Sequence, residues 1–419
     1  MPNAARSSEY LRRHLEAGLA AAMADTPVVC ILGPRQCGKS TLAKHIAQDR
    51  VFVSLDDPAN YELAMADPKG FIGELPESVT IDEVQRVPEL TLAIKHSVDE
   101  NRKPGRFLLT GSANLLQLPR LADSLAGRME WLELQPFSEA EKAGTEGLFL
   151  QRWLGGTLES VISPTTPPQP STLPQRVLSG GYPEACRRSP DRARQWQLQY
   201  VRSIIQRDIH DISQVRDGAG IERFLEYLCH QTAQLLNISE IAKALGYARP
   251  TIEKYLAILE QLYLVRSLPA WHRNVRKRLV KSPKIHICDS GLAAALANIT
   301  AMTWTEDRKR FGHLLESFVL QQLMIQAGGL QTNTRLWHYR DKDQVEVDCV
   351  LTQGNRTWGI EVKAAASVKS SDADGLKRLA SQAGTDFHGG VVLYDGTSVL
   401  PLDRELKLYA VPISKLWEL

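Results

Sequence analysis

No run in these 419 residues approaches the about 20 consecutive apolar residues that a membrane-spanning helix needs. The first residues also lack the apolar core of a secretory signal, because Arg12, Arg13, His14 and Glu16 interrupt it. A cytoplasmic protein without membrane association is therefore expected. Cysteine is sparse. Cys30, Cys37, Cys186, Cys229, Cys288 and Cys349 are scattered, with no CxxC and no paired histidine spacing, which argues against a zinc site or a disulfide framework. Charge of one sign is lacking too: 50 Lys and Arg against 48 Asp and Glu leave +2, so any electrostatic recognition must be local. No internal repeat is present. What remains, 43% hydrophobic and 23% charged, is the composition of a globular protein, and the length implies two to four domains.

Short apolar runs alternate with helical patterns in the first third. Residues 27–32, 51–55, 78–81 and 107–110 read as buried strands, while 8–24, 39–49 and 88–100 read as helices. That alternation predicts a parallel sheet with crossover helices, ending near residue 137. Residues 163–174 hold five prolines and read as a loop. Helices are expected at 191–212 and 219–235, a helix-turn-helix over 238–268 and a β-hairpin over 271–288. A helix at 312–326 is followed by strands at 335–339, 345–352, 357–363 and 390–394.

Between the first strand and the next helix lies Gly33-Pro34-Arg35-Gln36-Cys37-Gly38-Lys39-Ser40-Thr41. Its spacing is that of a phosphate-binding loop. Glycines let backbone N–H groups curl around a phosphate, a lysine reaches the β- and γ-phosphates, and a hydroxyl ligates Mg²⁺. ATP and Mg²⁺ are the expected ligands, with Lys39 on the phosphates and Ser40 on the metal. Val79-Thr80-Ile81-Asp82-Glu83 delivers Asp82 to the Mg²⁺ shell and Glu83 to the attacking water. The strand ending in Thr110-Gly111-Ser112-Ala113-Asn114 offers Ser112 first, and Asn114 second, as sensors of the γ-phosphate. Arg128, after Ser124-Leu125-Ala126-Gly127, is a candidate arginine finger.

Together with SLDDP at 54–58, these segments resemble the AAA-type ATPases of bacteria and archaea that carry a C-terminal DUF4143 region. The motif Gly180-Gly181-Tyr182-Pro183-Glu184 and the run Gln206-Arg207-Asp208-Ile209 are similar to later motifs of that family. The resemblance spans nearly the whole chain. It implies an AAA+-like core and a homo-oligomeric ring, such as a hexamer, in which Arg128 acts on a neighbour's nucleotide.

Ile238 to Gly246 and Arg249 to Leu256 read as helix-turn-helix, with Ile241, Leu245, Ile252, Leu256 and Leu259 as the seam. The expected wing at 271–284 holds Arg273, Arg276, Lys277, Arg278, Lys281 and Lys284 without an acid. Six unbalanced cations suit a phosphate backbone, with Arg249 and Lys254 positioning the second helix. The other reading is a protein–protein module.

Glu346-Val347-Asp348 and Glu361-Val362-Lys363 lie on successive predicted strands, with Glu316 on a preceding helix. This resembles the PD-(D/E)xK nuclease superfamily, although Val347 stands where many members have proline. The resemblance implies Asp348 and Glu361 as Mg²⁺ ligands, Glu316 as a further ligand and Lys363 as the catalytic lysine. Such folds also occur as binding modules that do not cut.

The expected fold class is α/β: a P-loop AAA+ parallel-sheet core (1–137), a lid and helical connector (138–218), a winged helix-turn-helix (219–300) and a restriction-endonuclease-like α/β domain (301–419). The expected function is an ATP-hydrolysing motor or remodeller of DNA, with branched DNA such as a Holliday junction as substrate. The alternatives are an ATP-dependent switch binding a protein partner, and an ATP-gated Mg²⁺-dependent nuclease.

Overall fold

The computed structural model describes residues 10–112, 125–156, 173–212, 217–274, 281–330 and 332–418, with side chains of the helix ending at 212 described through residue 207. Helix α1 (Leu15–Asp25) precedes β1 (Val28–Leu32), whose five residues are all buried. A strand buried on both faces has no polar face to show, which is why VVCIL reads as an unbroken apolar run. Then follow α2 (Lys39–Ile46), β2 (Val51–Ser54), α3 (Pro58–Ala66), α4 (Pro68–Glu74), β3 (Val79–Asp82), α5 (Leu90–Glu100), β4 (Phe107–Gly111) and β5 (Met129–Glu133). Their strands form one parallel sheet in the order β2-β3-β4-β1-β5. The carboxyl ends of β1, β3 and β4 therefore share one edge, where the three polar motifs begin. Asp57 caps α3 through its side chain, with Pro58 in the first turn.

The remainder is continuous in its packing. Helices α6 (Glu139–Ala143), α7 (Phe149–Leu154), α8 (Leu173–Ser179), α9 (Pro183–Cys186) and α10 (Pro190–Ile212) lead to α11 (Gly218–His230). A short β6 (Gln234–Leu235), α12 (Ile238–Leu245), α13 (Arg249–Gln261), β7 (Val265–Leu268) and β8 (Lys284–Ile287) follow. Asn237 caps α12, and Gly246, at φ +74°, turns the chain into α13. The hairpin strands are β7 and β8, paired antiparallel, with β8 central in the order β6-β8-β7. The hairpin expected over 271–288 thus begins earlier, at Val265. The basic run falls between its two strands in sequence, except Lys284, which is the first residue of β8.

Helices α14 (Ser290–Leu296), α15 (Thr303–Glu306) and α16 (Arg308–Gly328) precede a six-stranded mixed sheet of β9 (Thr334–Arg340), β10 (Glu346–Gln353), β11 (Arg356–Lys363), β12 (Phe387–Tyr394), β13 (Leu400–Asp403) and β14 (Leu408–Pro412). Helix α17 (Asp374–Ala383) packs against β10, β11 and β12, and α18 (Lys415–Glu418) follows the last strand. One apolar core runs from Ala140 through Phe224, Ile258 and Leu315 to Trp417. The boundaries expected near 218 and 300 fall inside it. The parallel sheet has two cores of its own, one on each face.

Candidate nucleotide site and a carboxylate cluster

The phosphate loop leaves β1 at Gly33, where a Cβ would meet the carbonyl oxygen of Leu134 at 2.1 Å; only glycine fits. Gly38 enters α2 at φ +105°. Lys39 is buried, and its Nζ donates to the carbonyls of Gly33 (3.0 Å) and Pro34 (2.8 Å). Arg35 lends its carbonyl to the Tyr200 hydroxyl at 3.0 Å, and Cys37 points its Sγ at the Leu134 carbonyl. Gln36, Gly38, Lys39, Ser40, Thr41 and Glu83 line a cavity of about 820 Å³.

Ser40, Asp82, Glu83 and Ser112 lie together beside this loop. Ser40 Oγ donates to Asp82 Oδ1 at 2.8 Å, so a hydroxyl and a carboxylate already meet where a divalent cation takes oxygen donors. Glu83 adopts a left-handed backbone (φ 58°), rare for a residue with a Cβ. Ser112 Oγ donates to its Oε2 at 3.0 Å. Thr110 Oγ1 donates to Asp82 and accepts from the Glu83 N–H at 3.2 Å. Gln85 Nε2 donates to both Glu83 and Ser112. Thr110 and Gln85 were not anticipated; each lies within three residues of a motif that was. This donor set fits a nucleoside triphosphate with Mg²⁺. Asn114 lies outside the described residues.

A third missed residue is Arg13. Its buried guanidinium donates to Glu141 Oε1 (3.1 Å) and to the carbonyls of Cys37 (2.9 Å) and Gln135, and stands 4.5 Å over the Phe137 ring. It braces the loop at Cys37 and lines the same cavity. The far wall of the cavity is the Gly180–Glu184 motif, with Pro183, Glu184, Arg187, Arg188 and Trp196. A Cβ on Gly181 would meet the Phe137 carbonyl oxygen at 2.2 Å, and one on Gly180 the Asp289 carboxylate at 2.3 Å. The Gly181 N–H donates to Asp289 Oδ2 at 2.7 Å. The paired glycines thread the backbone between these groups. Arg207 lies in α10; the side chains of Asp208 and Ile209 are outside the described residues.

Arg128 is not brought to this cavity. It precedes β5, whose first residue pairs with Val28, so it sits at the edge opposite the phosphate loop. Five residues of strand put about 16 Å between the edges. There it forms a two-pronged ion pair with Asp99, at 2.6 and 3.0 Å.

The residues of the basic region divide. Arg249 pairs with Glu253 one turn on, and Lys254 and Arg273 are exposed. Lys281 donates to the Arg340 carbonyl at 2.8 Å. Arg276, Lys277 and Arg278 lie outside the described residues. The roots of the loop are fastened to the C-terminal sheet: Trp271 N–H donates to the His338 carbonyl, His338 N–H to that of Pro269, and the Trp271 ring is buried against Tyr339. Burial of such a ring is worth about 3 kcal/mol.

Lys284 corrects the sequence reading most sharply. It does not face solvent. It is 3% exposed, and its Nζ lies 3.3 Å from Asp348, 3.4 Å from Glu316 and 3.4 Å from Glu346. Burial opposes its charge, but Asp348, Glu316 and Glu346 outweigh burial and hold it above the ordinary lysine value. Burial pushes Asp348 up, but Lys284, the Val362 N–H and Lys363 together outweigh it and hold that carboxylate low. Glu361 is pushed well up, first by burial and then by Asp348. Lys363 stands 3.6 Å from Glu361, and Arg340 Nη1 2.6 Å from Glu346. Glu316, Glu346, Asp348 and Glu361 thus form one cluster with Lys284 and Lys363. Among the described residues, no group of three His, Cys, Asp or Glu is arranged to hold a metal ion. No described helix is long and apolar enough to cross a membrane.

Residues 25–142 match a family model described as an AAA domain, 171–303 a domain of unknown function (DUF8612), and 311–416 a domain of unknown function (DUF4143). The uncharacterized proteins Rv2008c of Mycobacterium tuberculosis and Mb2031c of Mycobacterium bovis are each 31% identical over 354 residues, 84% of this chain and 74% of theirs. Among solved structures, a Walker-type ATPase of Pyrococcus abyssi superposes with a TM-score of 0.41 at 16% identity, over 71% of this chain and 98% of that one. The RuvB Holliday junction branch migration motor of Thermotoga maritima superposes at 0.27 and 18% identity, over 61% and 87%.

Proposed function

From a chain that belongs to the family of AAA ATPases with a C-terminal DUF4143 domain, we propose a protein that uses ATP to move or reshape DNA. Lys39 holds the β- and γ-phosphates, Glu83 orients the attacking water, and Ser112 senses the γ-phosphate through its bond to Glu83. Ser40 and Asp82 are the residues that would hold Mg²⁺, which supplies positive charge to the phosphate oxygens when bound. Arg128 cannot serve its own chain's nucleotide from the far edge of the sheet. As a finger it would act on a second copy after leaving Asp99, so the reading includes a homo-oligomer.

The observation that carries the proposal is the far wall of the nucleotide cavity. It belongs to the segment 180–188, and Asp289, directly after β8, grips that segment at Gly181. A shift of the wall on hydrolysis passes along this bond to the hairpin whose loop holds Arg273 and the cations at 276–278. In this reading helices α12 and α13 with β7 and β8 form a winged helix, and the exposed part of its loop meets the phosphate backbone. Preference for branched DNA is an analogy from the nuclease-like C-terminal fold.

Turnover of ATP should be measured without DNA, and with linear duplex, single strand and a four-way junction. Stimulation by DNA supports the proposal, and the strongest response to the junction supports the branched-DNA part. Absence of binding and stimulation by every DNA refutes the DNA role and moves the reading to a switch with a protein partner.

A further inference from the structure

The carboxylates that a nuclease of this fold would use for Mg²⁺ are already occupied by a side chain of the same protein. Lys284 Nζ lies within 3.4 Å of Glu316, Glu346 and Asp348, from three different elements. Lys284, Lys363 and Arg340 face Glu316, Glu346, Asp348 and Glu361, so three cations already stand among these four carboxylates. Both oxygens of Asp348 already have a partner: Oδ2 accepts the Val362 N–H at 2.9 Å while Oδ1 faces Lys284. A divalent cation entering here would meet an ammonium at close range in a buried setting, where like charges repel strongly.

The lysine cannot easily leave. Strand β8 is the middle strand of its sheet, and Lys284 pairs in register with Leu235 on one side and Leu268 on the other. Two residues on, His286 Nδ1 bonds Ser317 Oγ at 2.9 Å, so the same face of the strand is fixed to α16 twice. Withdrawing the ammonium would break the ladder and bury several carboxylates without a partner. The register of β10 against β9 also shifts between Val347 and Val350, around Asp348, as expected where a bulge re-aims a side chain.

We propose that Lys284 is the permanent cation of this cluster, standing where a nuclease would hold its metal, so that the C-terminal domain does not cleave DNA and the cluster instead clamps the hairpin to that domain. The inference is independent of the DNA role proposed above, because its metal-binding test needs neither DNA nor ATP. The full-length protein is titrated with Mn²⁺ without nucleotide, and bound ion is followed by electron paramagnetic resonance, for the wild type, Asp348→Asn, Lys284→Met and the double variant. The wild type is expected to show no Mn²⁺ site that Asp348→Asn removes. Lys284→Met is expected to bind Mn²⁺ about tenfold more tightly or better, and to lose that gain when Asp348→Asn is added. A wild-type site abolished by Asp348→Asn overturns the proposal. A folded Lys284→Met protein that gains no site overturns it as well. Should Lys284→Met fail to fold alone, refolding with Mn²⁺ is expected to rescue it, and lack of rescue counts against the proposal. Mg²⁺- or Mn²⁺-dependent cutting by the wild type that vanishes in Asp348→Asn would likewise refute it.

Discussion

Replacing Arg13 by methionine tests whether the loop Gly33–Ser40 is braced at Cys37. The guanidinium is buried and serves three acceptors at once: Glu141, the Cys37 carbonyl inside the loop, and the Gln135 carbonyl. Methionine keeps the stem and removes the fork. Glu141 would keep the backbone donors His14 N–H (2.8 Å) and Ser138 N–H (2.9 Å), but would lose its only ion-pair partner among the described residues. Breaking a buried pair from one side costs about 3–5 kcal/mol, and the retained backbone bonds place the expectation at about 3. Because the Cys37 carbonyl is released, ATP should also bind more weakly, by about tenfold for each 1.4 kcal/mol of that loss felt in the loop. Arg13→Met/Glu141→Gln removes both charges and should recover part of the stability but not of the ATP affinity. The assays are urea unfolding and nucleotide titration. An Arg13→Met protein as stable as the wild type, binding ATP equally well, would refute the brace.

Glu83→Gln keeps the size of the side chain and removes the base; turnover should fall by about 10²–10⁴ while ATP binding persists, and unchanged turnover would exclude Glu83 from the chemistry. Arg266 Nη2 reaches Glu133 at 2.6 Å and joins β7 to β5. Arg266→Met should therefore leave DNA-free turnover unchanged and weaken stimulation by DNA, and full stimulation would show that this contact transmits nothing. His286 is pushed down to about 3 by burial and then Lys284, and His338 to about 4 by burial and then Lys284. Both are neutral in the fold but bind protons when unfolded below about pH 6.5, so stability is full above that value and lost as pH falls toward the folded values, by up to about 1.4 kcal/mol per pH unit per histidine. Unfolding followed from pH 7.5 to 5 should show that slope, flatter in His286→Gln; equal slopes would refute the assignment.

The phosphate loop was legible because phosphates demand contiguous residues: Gly33 to Ser40 act together and are adjacent in the chain. The strands of the parallel sheet were legible for the same local reason, except β5. Its MEWLE lies at the sheet edge with Glu130 and Trp131 exposed, and its alternating polarity hid it. Arg13 was illegible because its partners stand 24, 122 and 128 positions away. Lys284 misled for a related reason. Read within its neighbours it continues a basic run, and only the fold brings Glu316 and Asp348 to it, from 32 and 64 positions away. Position in a charge run says little about burial when the residue is also the first of a strand.

The chain's division of labour follows from where its apolar cores end. The body from Ala140 to Trp417 shares one core, so helices α6 to α11, helices α12 and α13, and the C-terminal sheet resist moving against each other. The parallel sheet meets that body mainly through single polar contacts. These are Arg13 with Glu141, the Arg35 carbonyl with Tyr200, and Glu133 with Arg266, together with Tyr263 inserted into the sheet's core. Narrow polar contacts between bodies permit relative motion where a shared core does not. Three of these contacts touch the phosphate loop, the loop's base or the strand beside it. In the proposed function, nucleotide occupancy would act on the seam between the two bodies, and the cluster around Lys284 lies in the second. It keeps the hairpin and the C-terminal sheet moving together, so that motion at the seam reaches both as one displacement.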